Sequence, residues 1–389
     1  MRILFLTSRF PYPLEKGDKL RAFYQLKELG KNHEIILASV SDQLVLPEHL
    51  DAVKPYCKKI LVHQLSLLAI VRNLLVTLFK RMPFQVGYFY SKEFQKKINE
   101  LVSKEQPDAI FCQLVRMAEY VKDVRHIPKT LDYMDAFSKG LERLSQRSSF
   151  PKKIMIKLEW KRMLNYESGV FDRFNHHTII SSQDKKLIPH AGNDSIHVIP
   201  NGVDVDYYHP IAAEKKYHLV FSGNMAYPPN VETAIFIVKE IMPLLWKRDS
   251  GIKLVIAGAT PVKEILQLKS DNVEVTGWVD DMRVVFAQST IHLAPMLISI
   301  GLQNKILQAM AMKIPCIVST LANNAIHAPV NDCVLIAESP EEYAEKIMEL
   351  LGDEKKRQVL SENAFRFVGE NFNWTSQVRQ LESILKVKL

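Results

Sequence analysis

The 389-residue sequence lacks most features that assign a protein quickly. Its four cysteines, Cys57, Cys112, Cys316 and Cys333, are scattered and sit mostly in apolar runs. They show neither metal-ligand spacing nor a disulfide framework, which suits a reducing cytosol. No histidine-rich or carboxylate cluster has metal-ligand spacing, and the adjacent His176 and His177 would point to opposite faces of a strand. No run of about 18 uncharged apolar residues occurs, so no membrane-spanning helix is expected. Met1 and Arg2 lead straight into an apolar strand at residues 3–7, so no secretory signal is expected either. Charge of one sign is in deficit: the net charge is +8, which favours anionic partners. Nucleic acid is not the expected one, because no basic stripe is interleaved with aromatics and no zinc-finger or basic-helix pattern appears. Anionic lipid surfaces and phosphorylated substrates remain, beside the plainer reading of a basic solvated surface.

What is present reads as two successive α/β units. The length allows two domains, and 47% hydrophobic with 24% charged residues is ordinary for a globular chain. Residues 2–7 (R-I-L-F-L-T) form a continuous apolar strand. A proline-rich loop follows at 8–18, carrying Arg9, Gly17 and Asp18, then a helix at 19–29 that includes Arg21, then a strand at 33–38. That succession starts a doubly wound sheet. The loop has no dinucleotide fingerprint, and Gly17 alone reads as a turn. Further strands are expected at 107–113, 129–134, 176–182 and 196–199. Asp135 follows one of them, where parallel sheets bind ligands; an Asp capping the next helix is the alternative. Residues 65–84 form the most apolar helical stretch, interrupted by Arg72, Lys80 and Arg81. Its apolar positions run far round the helix, which favours a core helix over one lying on a membrane. Pro200-Asn201-Gly202 is a turn, and the domain boundary is placed there.

The pattern then restarts. A strand at 218–224 runs into Gly223 and Asn224, a helix follows at 228–246, and strands are expected at 253–258 and 273–277. Residues 290–320 contain a short strand at 291–294, a loop around Gly301, a helix at 304–312 and a strand at 316–318. A helix start beside the carboxyl ends of parallel strands is an anion site, and Lys305 adds a full positive charge. This unit reads as the holder of the diphosphate and ribose of a nucleotide-linked donor. The expected division is 1–200, 201–365 and a C-terminal helix at 366–389.

Four segments of the second half, H-V-I-P-N-G-V-D (197–204), L-V-F-S-G-N-M-A-Y-P-P-N (219–230), V-T-G-W-V-D-D (275–281) and K-I-L-Q-A-M-A-M-K-I-P-C-I-V-S (305–319), resemble the retaining GT-B glycosyltransferases of the family 4 type. In the first half, residues 6–21 and 131–143 resemble the sugar transferases associated with bacterial exopolysaccharide systems, and F-N-W (372–374) is similar to the point where the last helix of these enzymes crosses back to the first domain. The resemblance implies two Rossmann-like domains facing a cleft. It also implies a nucleotide-sugar donor held by the second domain, and transfer to a glycan or lipid-linked acceptor without a metal or other cofactor. The implied location is the cytoplasm, peripheral on the inner face of the plasma membrane. On this basis Gly223, Asn224, Gly301, Asn304, Lys305 and Gln308 are expected at the donor, Asp135 at the reacting sugar, and Arg9, Gly17, Asp18 and Arg21 on the acceptor side. The chain also departs from the pattern. Two glutamates usual in the family map onto Ile300 and Gln308. Asn224, Met225 and Ala226 stand where a basic pair often follows the glycine loop, and Asp135 stands where a histidine is frequent. A nucleotide-sugar epimerase and a non-catalytic nucleotide-sugar-binding subunit are the rival expectations.

Overall fold

The computed structural model describes residues 1–80, 82–298 and 301–387. Arg81 and Ile300 therefore lie outside the described residues. The chain forms two compact units, Met1–Pro200 together with Gln377–Leu389, and Asn201–Ser376.

The first unit is built on seven strands: β1 (Arg2–Thr7), β2 (Glu34–Ser41), β3 (Lys59–Gln64), β4 (Ala109–Gln113), β5 (Lys129–Asp132), β6 (His176–Ile179) and β7 (His197–Val198). Their order across the sheet is β3-β2-β1-β4-β5-β6-β7, with every neighbour parallel. Six strands build the second: β8 (Tyr217–Ser222), β9 (Leu254–Ala257), β10 (Val273–Val275), β11 (Ser289–Ala294), β12 (Cys316–Val318) and β13 (Leu335–Ile336). Their order is β10-β9-β8-β11-β12-β13, again all parallel. Central strands of a parallel sheet are covered on both faces, so they read as unbroken apolar runs. Ile3, Leu4, Phe5 and Leu6 of β1 and Leu219, Val220 and Phe221 of β8 are all fully enclosed. The fold is therefore the expected pair of doubly wound, Rossmann-like sheets.

Each sheet has one place where the chain reverses its winding, between β1 and β4 in the first and between β8 and β11 in the second. There the loops leaving two adjacent strands part in opposite directions and leave a crevice at the carboxyl ends.

The last helix, Trp374–Leu385, starts in the second unit and ends in the first. Leu381 and Leu385 are buried, and Glu382 Oε1 lies 3.0 Å from His33 Nε2. The helix before it, Glu354–Asn371, stays with the second unit.

Two local expectations need correction, and one strand lies outside them. The edge strand β3 has no counterpart in the sequence reading; its side chains are only half-buried, because it has one neighbour instead of two. The helix expected at 228–246 is interrupted by a π-helical turn, Ile237–Ile241. Pro243 accounts for it, since proline offers no N–H and its ring collides with the carbonyl four residues back. The apolar stretch at 65–84 is not a core helix. It forms the helix Leu67–Lys80, in which only Ile70 and Thr77 are buried.

Candidate functional site

At the switch point of the second sheet, β8 ends at Ser222 and the chain turns at Gly223 with φ +153°. A Cβ there would meet the Asn230 side-chain nitrogen at 2.6 Å. Gly258, just past β9, has φ +141°, and a Cβ on it would lie 1.8 Å from the Gly223 carbonyl oxygen. The two loops are thus pressed backbone to backbone, which glycine alone permits. Gly258→Ala is expected to lower stability by about 3 kcal/mol; an unchanged urea midpoint would contradict this packing.

The space that Gly223 leaves is filled by Asn230, which is buried near the start of the helix Pro228–Phe236. Its Nδ2 donates to the Asn224 carbonyl at 2.9 Å, and its Oδ1 accepts from Lys305 Nζ at 2.6 Å. Asn230 therefore joins the glycine loop after β8 to the helix Asn304–Ala311 after β11, the two elements that flank the crevice. Asn224 closes its own turn: its Oδ1 accepts from the Ala226 N–H and the Thr260 hydroxyl, both at 2.9 Å.

Lys305 is 8% exposed, and its ammonium lies 4.4 Å from the centre of the Phe221 ring. No carboxylate among the described residues pairs with it. Burial pushes its pKa down to about 7. Beside it on β11, His292 is fully buried with neither ring nitrogen bonded to a described residue. Burial first, and the Lys305 charge second, push His292 down to about 3, so the imidazole is neutral at ordinary pH. The helix carrying Lys305 starts at Gln303 without a side-chain cap. Asn304 Oδ1 accepts from Asn201 Nδ2 at 3.3 Å, which ties the Pro200-Asn201-Gly202 turn to the helix start. Gly301 has φ +68°, and Gln308 is half-buried one turn after Asn304. The structure thus gathers Gly223, Asn224, Asn304 and Lys305 into one arrangement linked through Asn230.

The first sheet has its own crevice residues. Arg9 and Asp18 form an ion pair of 2.6 Å. Gly17 opens the helix Gly17–Leu29, and a Cβ on it would meet nothing within 4 Å. Arg21 is expected on the acceptor side, but its side chain is enclosed. It is fully buried, with Nε 2.6 Å from Asp132 Oδ2, Nη2 3.2 Å from Asp132 Oδ1 and Nη1 2.9 Å from the Ile199 carbonyl. A guanidinium held this way fastens the first helix to β5 and to the end of β7.

Asp135 follows β5 through Met134, which has φ +64°, a conformation that disfavours a side chain of this size. The next helix, Phe137–Arg147, has Ala136 at its N-cap and no side-chain cap bond, so Asp135 does not cap it. Asp135 is half-buried, yet its Oδ1 is sealed from solvent with no hydrogen-bond partner among the described residues. Burial first and the Asp184 carboxylate second raise its pKa to about 7. Glu167 lies close by; it accepts from the Ser138 N–H at 3.2 Å and is also raised to about 7, chiefly by burial.

Sequence reasoning missed Asn230 and Arg116. Arg116 stands shortly after β4, at 8% exposure, with its guanidinium 5.1 Å from the Phe89 ring and 4.7 Å from the Phe137 ring. One Nη donates to Gln85 at 2.6 Å, while Nε and the other Nη are buried without a partner among the described residues. Arg9 lies over the same Phe89 ring, and the Arg116 pKa is lowered to about 10 by burial and then by Arg9. The available signal for Arg116 was its place beyond the carboxyl end of a central strand. For Asn230 it was the end of the G-N-M-A-Y-P-P-N segment, which reads as a helix start alone.

Residues 216–353 match the family model described as Glycosyl transferases group 1, a segment that contains the whole second-sheet crevice. An uncharacterized 44.6 kDa protein in the cps region of Klebsiella pneumoniae is 21% identical over 404 residues, covering 96% of each chain. Anabaena Alr3699/HepE, solved in complex with UDP, superposes with a TM-score of 0.70 at 14% identity, covering 99% of both chains. This chain has the GT-B fold. Sucrose-phosphate synthase from Thermosynechococcus elongatus has a similar structure, with a TM-score of 0.71 at 14% identity over 99% of this chain and 98% of that one. In GT-B terms, the first unit is the N-terminal lobe and the second is the C-terminal lobe.

Proposed function

We propose that this GT-B protein is a glycosyltransferase that moves a hexose, with retention, from a nucleotide-sugar donor to a glycan or lipid-linked acceptor in cell-surface polysaccharide synthesis. The observation that carries the reading is Lys305: a buried cation at a helix start, bonded to a neutral amide and with no carboxylate partner among the described residues. A donor diphosphate supplies the missing negative charge. The positive end of the helix Asn304–Ala311 adds to the attraction. As the bond to the sugar breaks, charge gathers on the departing diphosphate, and a preformed cation stabilises it more than it stabilises the ground state. Asp135 is assigned to the reacting sugar. Its carboxylate accepts a hydrogen bond from a hydroxyl or faces the positive charge that develops at the anomeric carbon. Gln308, in place of an acid, hydrogen-bonds ribose hydroxyls without charge.

The matched family segment supports this reading, as does the binding of UDP-glucose by Anabaena Alr3699/HepE. The relative from a cps region supports a role in surface polysaccharide. A thermal-shift screen of nucleotide diphosphate sugars tests the first step, because a bound donor stabilises by mass action. At least one nucleotide sugar is expected to raise the melting temperature, and transfer of labelled sugar to an extracted lipid-linked fraction is expected with it. A stabilising donor that is neither transferred nor hydrolysed would leave a binding subunit. Conversion of the donor to its epimer without acceptor would leave an epimerase.

A further inference from the structure

The helix Leu67–Lys80 has no acidic residue, and Leu67, Leu68, Val71, Leu75, Leu78 and Phe79 are all exposed on it. These positions recur at intervals of three and four and fill one continuous arc of the helix. Leu68 is 85% exposed and Phe79 88%. Arg72 and Lys80, also exposed, follow on one flank of that arc. A second helix, Lys152–Phe171, adjoins the first. Arg162 donates to the carbonyls of Thr77 at 3.0 Å, Leu78 at 3.1 Å and Met82 at 3.3 Å. One and two turns before Arg162, on its own strip, are the exposed Leu158 and Met155. Lys153, Lys157 and Lys161, four apart and exposed, form a basic stripe on the same helix. The one acid among residues 150–166, Glu159, is buried; its oxygens accept from the Phe84 and Gln85 N–H groups at 2.7 and 3.0 Å. Large exposed apolar side chains are thus gathered here with exposed cations, and no acid is exposed among the described residues of the two helices. Isolated surface apolar residues need no explanation, but a contiguous face does.

We infer that these two helices form a docking face for an anionic phospholipid bilayer. They lie along the interface, with the apolar side chains entering the boundary between head groups and acyl chains and the lysines and Arg72 meeting lipid phosphates. Charge complementarity selects this occupant: a second copy of the chain would bring the same cations to face these, whereas an anionic surface satisfies both the charged and the apolar parts at once. The inference rests on the first unit alone and stands apart from the proposed reaction.

The test sediments the full chain with vesicles of phosphatidylcholine alone or mixed with phosphatidylglycerol. Binding is expected to the mixed vesicles, weakening as salt rises. Leu68→Ser with Phe79→Ser, and separately Lys153→Gln with Lys157→Gln, are each expected to reduce the bound fraction on the order of tenfold. Circular dichroism and the melting temperature should not change, since all four side chains are exposed. If the serine pair nevertheless fails to fold, the glutamine pair carries the test alone. Equal binding to neutral vesicles, no sedimentation with either, or variants that bind like the parent would overturn the proposal. So would self-association that Phe79→Ser abolishes in a chain that ignores vesicles, which would assign the face to a second copy.

Discussion

Lys305→Met is expected to weaken nucleotide-sugar binding about 10²–10³-fold while leaving the chain folded. Removing one partner of a buried, hydrogen-bonded charge pair costs about 3–4 kcal/mol of binding, which sets that range. Stability should change little, because methionine nearly fills the space and no longer requires an amine to be held in an apolar pocket over Phe221. Against this, the Asn230 Oδ1 loses its partner, at about 1–3 kcal/mol. Isothermal titration of a donor that stabilises the parent protein measures the loss; parental affinity in the variant would remove Lys305 from the diphosphate.

A pH dependence follows from the same side chain. Burial lowers the Lys305 pKa to about 7, so the free protein carries the full charge below that value and loses it above. A bound diphosphate favours the ammonium. Above pH 7 binding must therefore take up a proton, and affinity falls by up to about tenfold per pH unit. Below pH 7 this group contributes no slope. The methionine variant should show none from it at any pH.

Asp135→Asn is expected to lower turnover about 10²–10³-fold at pH 8, the usual scale for losing one group that stabilises developing charge. The same substitution should raise stability there. Asp135 has a folded pKa near 7, above the usual carboxylate value, chiefly because of burial. A carboxyl with a raised folded pKa holds its proton more tightly when folded. It is therefore no burden below about pH 4, and it costs stability progressively as pH rises from about 4 to 7. Asparagine removes that cost, a gain of about 1–2 kcal/mol once solvent access to part of the side chain is allowed for. In the parent, turnover should rise through pH 7 as the carboxylate forms. Slower turnover with a higher melting temperature at pH 8 would mark Asp135 as a group kept for chemistry at the expense of stability. Unchanged turnover would end its assignment to the sugar.

The elements that the sequence revealed are those whose physics is local. Central parallel strands announce themselves as apolar runs, and the helix start at Asn304 with Lys305 follows directly from a strand and a glycine loop. Arg9 and Asp18, named separately, turn out to be partners at 2.6 Å within one loop and helix start. What stayed hidden depends on partners far away in the chain. Nothing near Arg21 indicates that it closes on Asp132, 111 residues on, and becomes a buried tie. Asn230 acquires its role only through Lys305, 75 residues later. For the helix Leu67–Lys80, the apolar pattern is plain in the sequence, but whether such a face turns inward depends on how much of the sheet is already covered.

The returning helix has a consequence for the order of folding. Residues 201–376 are contiguous, so the second unit has its whole core as soon as they leave the ribosome. The first unit, although synthesised earlier, lacks its last helix until Val378, Leu381 and Leu385 arrive and Glu382 reaches His33. The N-terminal half therefore waits, incomplete, for the translation of the second. A chain truncated after Ser376 is expected to keep a protease-resistant second unit beside a first unit that proteases cut faster than in the full chain.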